Sequence, residues 1–299
     1  MFCSAQMTSR QHGLSLDAVR ACAQIITELA PQDPNGFANL YFTAQANVAA
    51  GSPFFPASYH AGGAPAFGLA TEAADLAVSA FEASTKVQEG LQRFQHAVQS
   101  HTDRLQAIAN DLQTQTGCIF NGIDISLAPF PEQASSLGTA LERMGIGQVG
   151  LHGSLAAAAM LASALDQVSF PRVGFSGLMF PQLEDAALAQ SAADGVLLVK
   201  DLLMYSAVCG TGLDTIPLPG DTSPQQLAAL LLDLAALALR LDKPLTARLM
   251  PVPGKRAGEE TSFDFPFFVN SRVMQLSAEP LGAVMEQSPP IPIFPRSWD

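Results

Sequence analysis

The residues best suited to chemistry lie in one short stretch, Val208-Cys-Gly-Thr-Gly-Leu-Asp-Thr-Ile-Pro-Leu-Pro-Gly-Asp221, which brings a thiol, two carboxylates and three glycines together. A thiolate is a nucleophile, and glycines on either side let backbone N–H groups approach a bound group closely. Cys209 is therefore a candidate catalytic residue, with Gly210 and Gly212 as candidate substrate contacts. The competing reading is that Cys209 closes a buried element, as free cysteines often do. Asp214 and Asp221 bracket Ile216-Pro-Leu-Pro219. Prolines stiffen a loop, and two carboxylates at fixed separation suit a divalent cation or acid–base work. Turn capping explains either aspartate equally well, and Asp221 also stands where a helix begins.

Three further positions complete the candidate set. His60 follows Phe54, Phe55 and Tyr59 and precedes Gly62-Gly63, which suits an acid, base or ligand at an aromatic pocket mouth or, equally, plain packing. Asp124 and Ser126 alternate along Ile119–Leu127 and so share one face of a strand. Lys255, on a glycine-containing turn with Arg256, suits an anion or a solvated surface.

The elements that must position these groups read as alternating helix and strand. Ser15 caps a helix with Leu16, Val19, Cys22, Ile25, Ile26 and Leu29 on one face, and Pro31 ends it, which places Cys22 in the core. Residues 37–48 have strand-like density. Residues 71–116 lack proline and carry Val87, Leu91, Phe94, Val98, His101, Leu105, Ile108 and Leu112 at alternating spacings of four and three, a heptad seam that includes His101. Residues 151–168 read as an alanine-rich helix and 172–180 as a strand. Residues 195–208 fit either a helix or a strand. Ser223-Pro224 caps a leucine-rich helix, 245–252 and 267–274 read as strands, and the proline-rich residues 286–299 form an extended tail.

Composition narrows the function classes. The 299 residues favour one α/β domain, and a net charge of -12 disfavours nucleic acid and anionic lipid as partners. Charged residues make up only 14% of the chain, which points to a homo-oligomer, and polar residues concentrated in glycine- and proline-rich loops after the expected strands point to a small-molecule ligand. The apolar run 227–241 contains Asp233 and Arg240 and is shorter than a spanning helix, so no membrane partner is expected. The start of the chain lacks a secretory pattern and the four cysteines lack CxxC spacing, so a cytoplasmic protein with reduced thiols is expected. No GxGxxG, GxxxxGK[ST], GxSxG or HExxH occurs, which lowers nucleotide, Rossmann, serine-hydrolase and common zinc chemistry.

Four segments in order, Ala38–Asn47, Ser52–His60, Cys209–Asp221 and Phe267–Met274, carry a resemblance. Through them the chain resembles domain-of-unknown-function family 711, an uncharacterised prokaryotic family, over residues 36 to 274 or so. The resemblance implies a large α/β barrel grouped with pyruvate formate-lyase and the anaerobic ribonucleotide reductases, with Cys209 on a hairpin inside the barrel. No glycyl radical of its own is expected, because the Arg-Val-x-Gly-Tyr type of segment gives way here to the proline-rich tail. The chain looks short at its N-terminus against many relatives, so an early barrel strand is expected to be missing or supplied by a partner. The function expected is that of an enzyme acting on a small polar or anionic metabolite, the alternative being a non-catalytic binding or regulatory barrel that recruits a partner through its long helix.

Overall fold

The computed structural model describes residues 1–58, 61–282, 285 and 289–296. Seven strands are formed among them: β1 (Cys3–Ser9), β2 (Gly13–Leu14), β3 (Phe42–Ala46), β4 (Ala66–Glu72), β5 (Ile119–Ser126), β6 (Gly212–Pro219) and β7 (Leu245–Val252). Eight α-helices accompany them: α1 (Leu16–Leu29), α2 (Ala74–Glu82), α3 (Val87–Thr116), α4 (Leu137–Arg143), α5 (Ser154–Asp166), α6 (Ala186–Ala193), α7 (Val199–Tyr205) and α8 (Pro224–Leu241).

Five strands pair in the order β2-β1-β3-β7-β6, and β4 pairs with β5 separately. The pairs β1/β3 and β6/β7 are parallel, whereas β3 and β7 meet antiparallel. The two sheets are joined by residues 172–181, which bridge Ile123 to Arg172, Leu127 to Leu178 and Pro181 to Asp214, all parallel. The result is a mixed α/β fold built on one curled wall. Sequence expected a regular strand over 172–180; only isolated bridges form, because Gly174 and Ser176 take positive φ and turn the chain. Residues 267–274 likewise make a single bridge, Glu260 to Arg272, in place of a final strand.

Alternation along the strands sorts the wall into two faces. Ala5, Ala44, Ala46, Leu245, Ala247 and Leu249 join the main core with Val19, Cys22 and Ile26 of α1 and Leu231, Leu234 and Ala235 of α8. Burial there pushes the Cys22 thiol up to about 11, which keeps it protonated and inert. Helix α8 is long and apolar enough to cross a bilayer by length and composition alone, but nine of its residues are buried inside this fold. The opposite face carries Gln6, Thr43, Gln45, Thr246 and Arg248, and further along β7 it carries Met250 and Val252, packed with Phe263 and Phe268.

Pro217 and Pro219 lie within β6 and do not stiffen a loop. β6 is the last strand of its sheet, where a missing N–H costs no ladder bond. The expected helical segment 71–116 divides. Residues 71 and 72 belong to β4, and the chain turns at residues 83–86 between α2 and α3. The turn folds Phe81 onto Gly90, where a side chain would collide with the ring, its Cβ lying 2.2 Å from Phe81 Cδ1. The heptad seam also drifts. Phe94 and Val98 are buried, but burial then passes to Thr102 and Ala109, leaving His101 exposed, as a straight 3.6-residue helix requires.

Candidate functional site

β7 is the centre of the site because Arg248 is the one charged residue in an otherwise uncharged, fully buried strand. Its neighbours on both sides follow from register. Ala44 pairs with Ala247 antiparallel, which sets Thr43 opposite Arg248, and the β6 ladder brings Asp214 beside it. Arg248 Nη2 donates to Asp214 Oδ2 at 2.8 Å and Nε donates to Oδ1, a two-pronged bond. Nη2 also donates to Glu184 Oε1 at 3.1 Å. Nη1 has no protein partner among the described residues. Asp214 is 1% exposed and Arg248 8%, while Glu184 keeps 24%, so the cluster opens to solvent on the Glu184 side.

Electrostatics in the cluster are unbalanced. Burial pushes the Glu184 carboxyl up to about 7; Arg248 opposes the shift, and the charges of Asp214 and Glu72 reinforce it. The two carboxylates hold Arg248 firmly protonated despite its burial. Thr43 is fully buried on the same face, and its Oγ1 has no hydrogen-bond partner among the described residues.

Residues 47–58 cover this face. Gln6 and Gln45, paired in register, hold the cover from beneath: Gln6 Nε2 donates to Val48 O and Gln45 Nε2 to Pro56 O, both at 2.9 Å. Phe55 then lies over the guanidinium, with Arg248 Cζ 5.4 Å from the ring centroid. The neighbouring His60 lies outside the described residues.

Cys209 occupies a different place. It follows the end of α7 and precedes β6, its N–H donating to Tyr205 O at 2.8 Å. The expected hairpin projecting into a barrel is absent here, since the residues before Cys209 are a helix terminus. Cys209 is 3% exposed and belongs to the main core, and its sulfur accepts from Gly212 N at 3.3 Å. It also borders a cavity of about 360 Å³ lined by Ser163, Asp166, Phe175 and Lys243. Lys243 Nζ donates to the carbonyls of Ser206 at 3.1 Å, Ala207 at 3.4 Å and Cys209, closing the helix end. Burial lowers the pKa of this ammonium.

Residues 1–270 match the family model described as Uncharacterised ACR (DUF711). The chain belongs to DUF711. It is similar to a UPF0210 protein of Pyrobaculum aerophilum, 35% identical over 85% of this chain and 57% of that protein. It is also similar to UPF0210 proteins of Lactobacillus delbrueckii subsp. bulgaricus, 30% identical over 97% of this chain and 66% of the relative, and of Acetivibrio thermocellus, 30% identical over 87% and 60%. The chain thus spans between 57% and 66% of the length of these relatives.

In this DUF711 chain the remaining candidates serve the scaffold or stand apart. Asp124 accepts from Ser126 Oγ at 2.7 Å, Phe175 N at 2.9 Å and Ser176 N at 2.8 Å, fixing the turn at 174–176. Burial raises its carboxyl even so. Gly210 packs backbone to backbone on Gly177, and a Cβ on Gly212 would lie 2.4 Å from Thr246 O, so both glycines permit close approach of chains. Asp221 is exposed beyond the far end of β6, and Ser223, whose Oγ accepts from Gln226 N at 3.2 Å, caps α8 instead. Seven residues of mostly extended chain, roughly 20 Å, separate Asp214 from Asp221. With both Asp214 oxygens on Arg248, the two aspartates do not form a shared cation site. No group of three or more His, Cys, Asp or Glu side chains is assembled to hold a metal among the described residues. Lys255 Nζ is bound within its own turn, to Glu260 O and to Ser262 Oγ at 3.3 Å.

Arg248 and Glu184 were not among the residues singled out from the sequence. The signal for Arg248 was its isolation in an apolar strand. Glu184 had a weaker one, since it follows a bridged segment directly and precedes Asp185, which caps α6 through bonds to Ala187 N at 2.9 Å and Leu188 N at 3.0 Å.

Proposed function

We propose that this chain is an enzyme that moves a proton on a small polar metabolite bound against the polar face of the curled wall. Glu184 is the acid–base group, and Arg248 binds and orients the ligand through Nη1. The observation that carries this reading is the geometry of the cluster, in which Glu184 stands at the solvent side of a buried guanidinium that Asp214 holds from behind, and burial pushes its carboxyl up to about 7. A group at that value is present in both protonation states at neutral pH, where acid–base catalysis is most effective. As a base, Glu184 takes a proton from a C–H, N–H or O–H of the ligand, and the electron pair left behind is stabilised by the neighbouring guanidinium. As an acid it returns the proton. Asp214 fixes the plane of the guanidinium from the other side, and Phe55 excludes water above it.

We read the wall as part of a barrel of the pyruvate formate-lyase type. Its polar inner face and its two parallel pairs meeting at one antiparallel seam support that reading.

The experiment is a thermal-shift screen of the full chain against small carboxylic, amino and neutral polar metabolites, with mass spectrometry of each mixture. The expected outcome is a ligand that stabilises both wild type and Glu184→Gln and is converted by wild type alone. Equal conversion by Glu184→Gln would remove Glu184 from the reaction. Ligand binding unaffected by Arg248→Lys would remove the second assignment.

A further inference from the structure

We infer that the ligand of the Arg248 site is a small cation, an ammonium-bearing metabolite with a neutral carbonyl or hydroxyl oxygen, and that Glu72 selects its charge. The inference rests on the reading of the Arg248 cluster as the ligand site, and it adds the class of ligand. Charge on the polar face is one-sided. Arg248 is the only basic residue in the seven strands, which carry the acids Glu72, Asp124 and Asp214, and Glu184 adds a fourth carboxyl beside the guanidinium. Two of the four carboxyls are fully engaged: Asp214 lies against Arg248 in its two-pronged bond, and Asp124 accepts from Ser126 Oγ, Phe175 N and Ser176 N. The other two are open. Glu184 Oε2 accepts no hydrogen bond among the described residues, and the Glu72 carboxylate has neither a hydrogen bond nor an ion pair among them.

Topology brings the two open carboxylates to one end of the wall. β4 and β5 run parallel with Glu72 opposite Ser126, Leu127 bridges to Leu178 in the same sense, and Glu184 closely follows the bridged Pro181. The charge of Glu72 reaches Glu184, where it opposes ionisation, and a cation between them relieves that repulsion. The other end of the site takes a neutral oxygen. Arg248 Nη1 and Thr43 Oγ1 belong to buried side chains set opposite each other by the register of β3 and β7, and neither atom has a protein partner among the described residues. Both can donate, so one carbonyl or hydroxyl oxygen satisfies the pair. A carboxylate placed there would meet a guanidinium whose charge Asp214 and Glu184 already share, with Glu72 unopposed nearby. An anion is therefore repelled where an amine is held. The net charge of -12 acts in the same direction by drawing cations towards the cleft.

The test is isothermal titration calorimetry of the full chain with three matched series of primary amides. The cations are glycinamide, β-alaninamide and γ-aminobutyramide; their neutral isosteres are propionamide, butyramide and valeramide; the anions are malonamate, succinamate and glutaramate. At least one cation should bind roughly ten-fold or more tightly than its neutral isostere, with the matching anion weaker still. Glu72→Gln should remove most of that preference while leaving the affinity of the neutral amide unchanged. A wild-type chain that binds none of the cations, or binds an anion as tightly as its cationic match, overturns the inference whatever the variant does. So does a preference that survives Glu72→Gln. Failure of the acid–base reading looks different: Glu184→Gln would then retain wild-type conversion of a ligand, and the wild-type order of cation over anion would still support this inference. An anion-preferring site that loses conversion in Glu184→Gln would keep the acid–base role and overturn the inference alone.

Discussion

The Arg248 cluster and the Cys209 turn lie at successive levels of the same two strands, yet they are built differently. At Cys209 the thiol accepts from Gly212 and Lys243 closes three carbonyls, although the neighbouring Thr211 hydroxyl, like that of Thr43, has no hydrogen-bond partner among the described residues. At Arg248 two carboxylates face one guanidinium, and burial pushes the Glu184 carboxyl up to about 7. A group with all its bonds made within the fold contributes stability. A group whose needs the fold leaves open is better placed to meet a ligand. Glu184 is thus better placed than Cys209 for the proposed proton transfer.

Substitution at Arg248 gives the largest expected effect. Arg248→Met strands Asp214 as a buried unpaired charge and should cost about 3–5 kcal/mol, read by urea denaturation. A loss under 1 kcal/mol or so would show that water already reaches the pair.

Glu184→Gln comes next. The folded state holds its proton up to about pH 7, whereas the unfolded carboxyl releases it near its ordinary value of 4.5. The folded state thus binds more protons between those values, and wild-type stability falls as pH rises through that window. Glu184→Gln should abolish that slope, worth on the order of 2 kcal/mol after screening, and lower turnover about 10²–10⁴-fold. Melting temperatures measured from pH 4 to 8 check the first part, and an unchanged slope would mean the carboxyl titrates normally.

Cys209→Ala sharpens the contrast from the other side. A small void in the core should cost about 1 kcal/mol, with turnover intact. Turnover lost at near-native stability would transfer the reaction to the cavity beside Lys243. The smallest effect belongs to Asp221→Ala, exposed at the far end of β6, where a change within about 0.5 kcal/mol and no change in metal affinity by calorimetry are expected.

Helices and strands with clear periodicity were legible in the sequence, as α1 with its Ser15 cap, β5, α8 and β7 show. Residues 71–116 were harder, because apolar spacing does not reveal a turn whose cause is Phe81 meeting Gly90 from the neighbouring helix. The Arg248 cluster was hidden for a related reason. Spacing along the chain grouped Cys209, Asp214 and Asp221, but an extended strand carries its residues away from one another. What assembles the cluster is register across β3, β7 and β6, and register is set by pairing partners distant in sequence. Asp214 was legible as a residue of interest; Arg248, its partner, needed the sheet.

The two glutamines beneath the covering segment tie strand alignment to ligand access. Slippage of either strand by one residue would rotate its amide into the helix layer, unhook one end of the cover and lift the phenyl ring from the guanidinium. Grafting a different cover onto this scaffold would therefore succeed only where the new segment offers carbonyls at both anchor points, and a misaligned sheet would announce itself by an uncapped arginine.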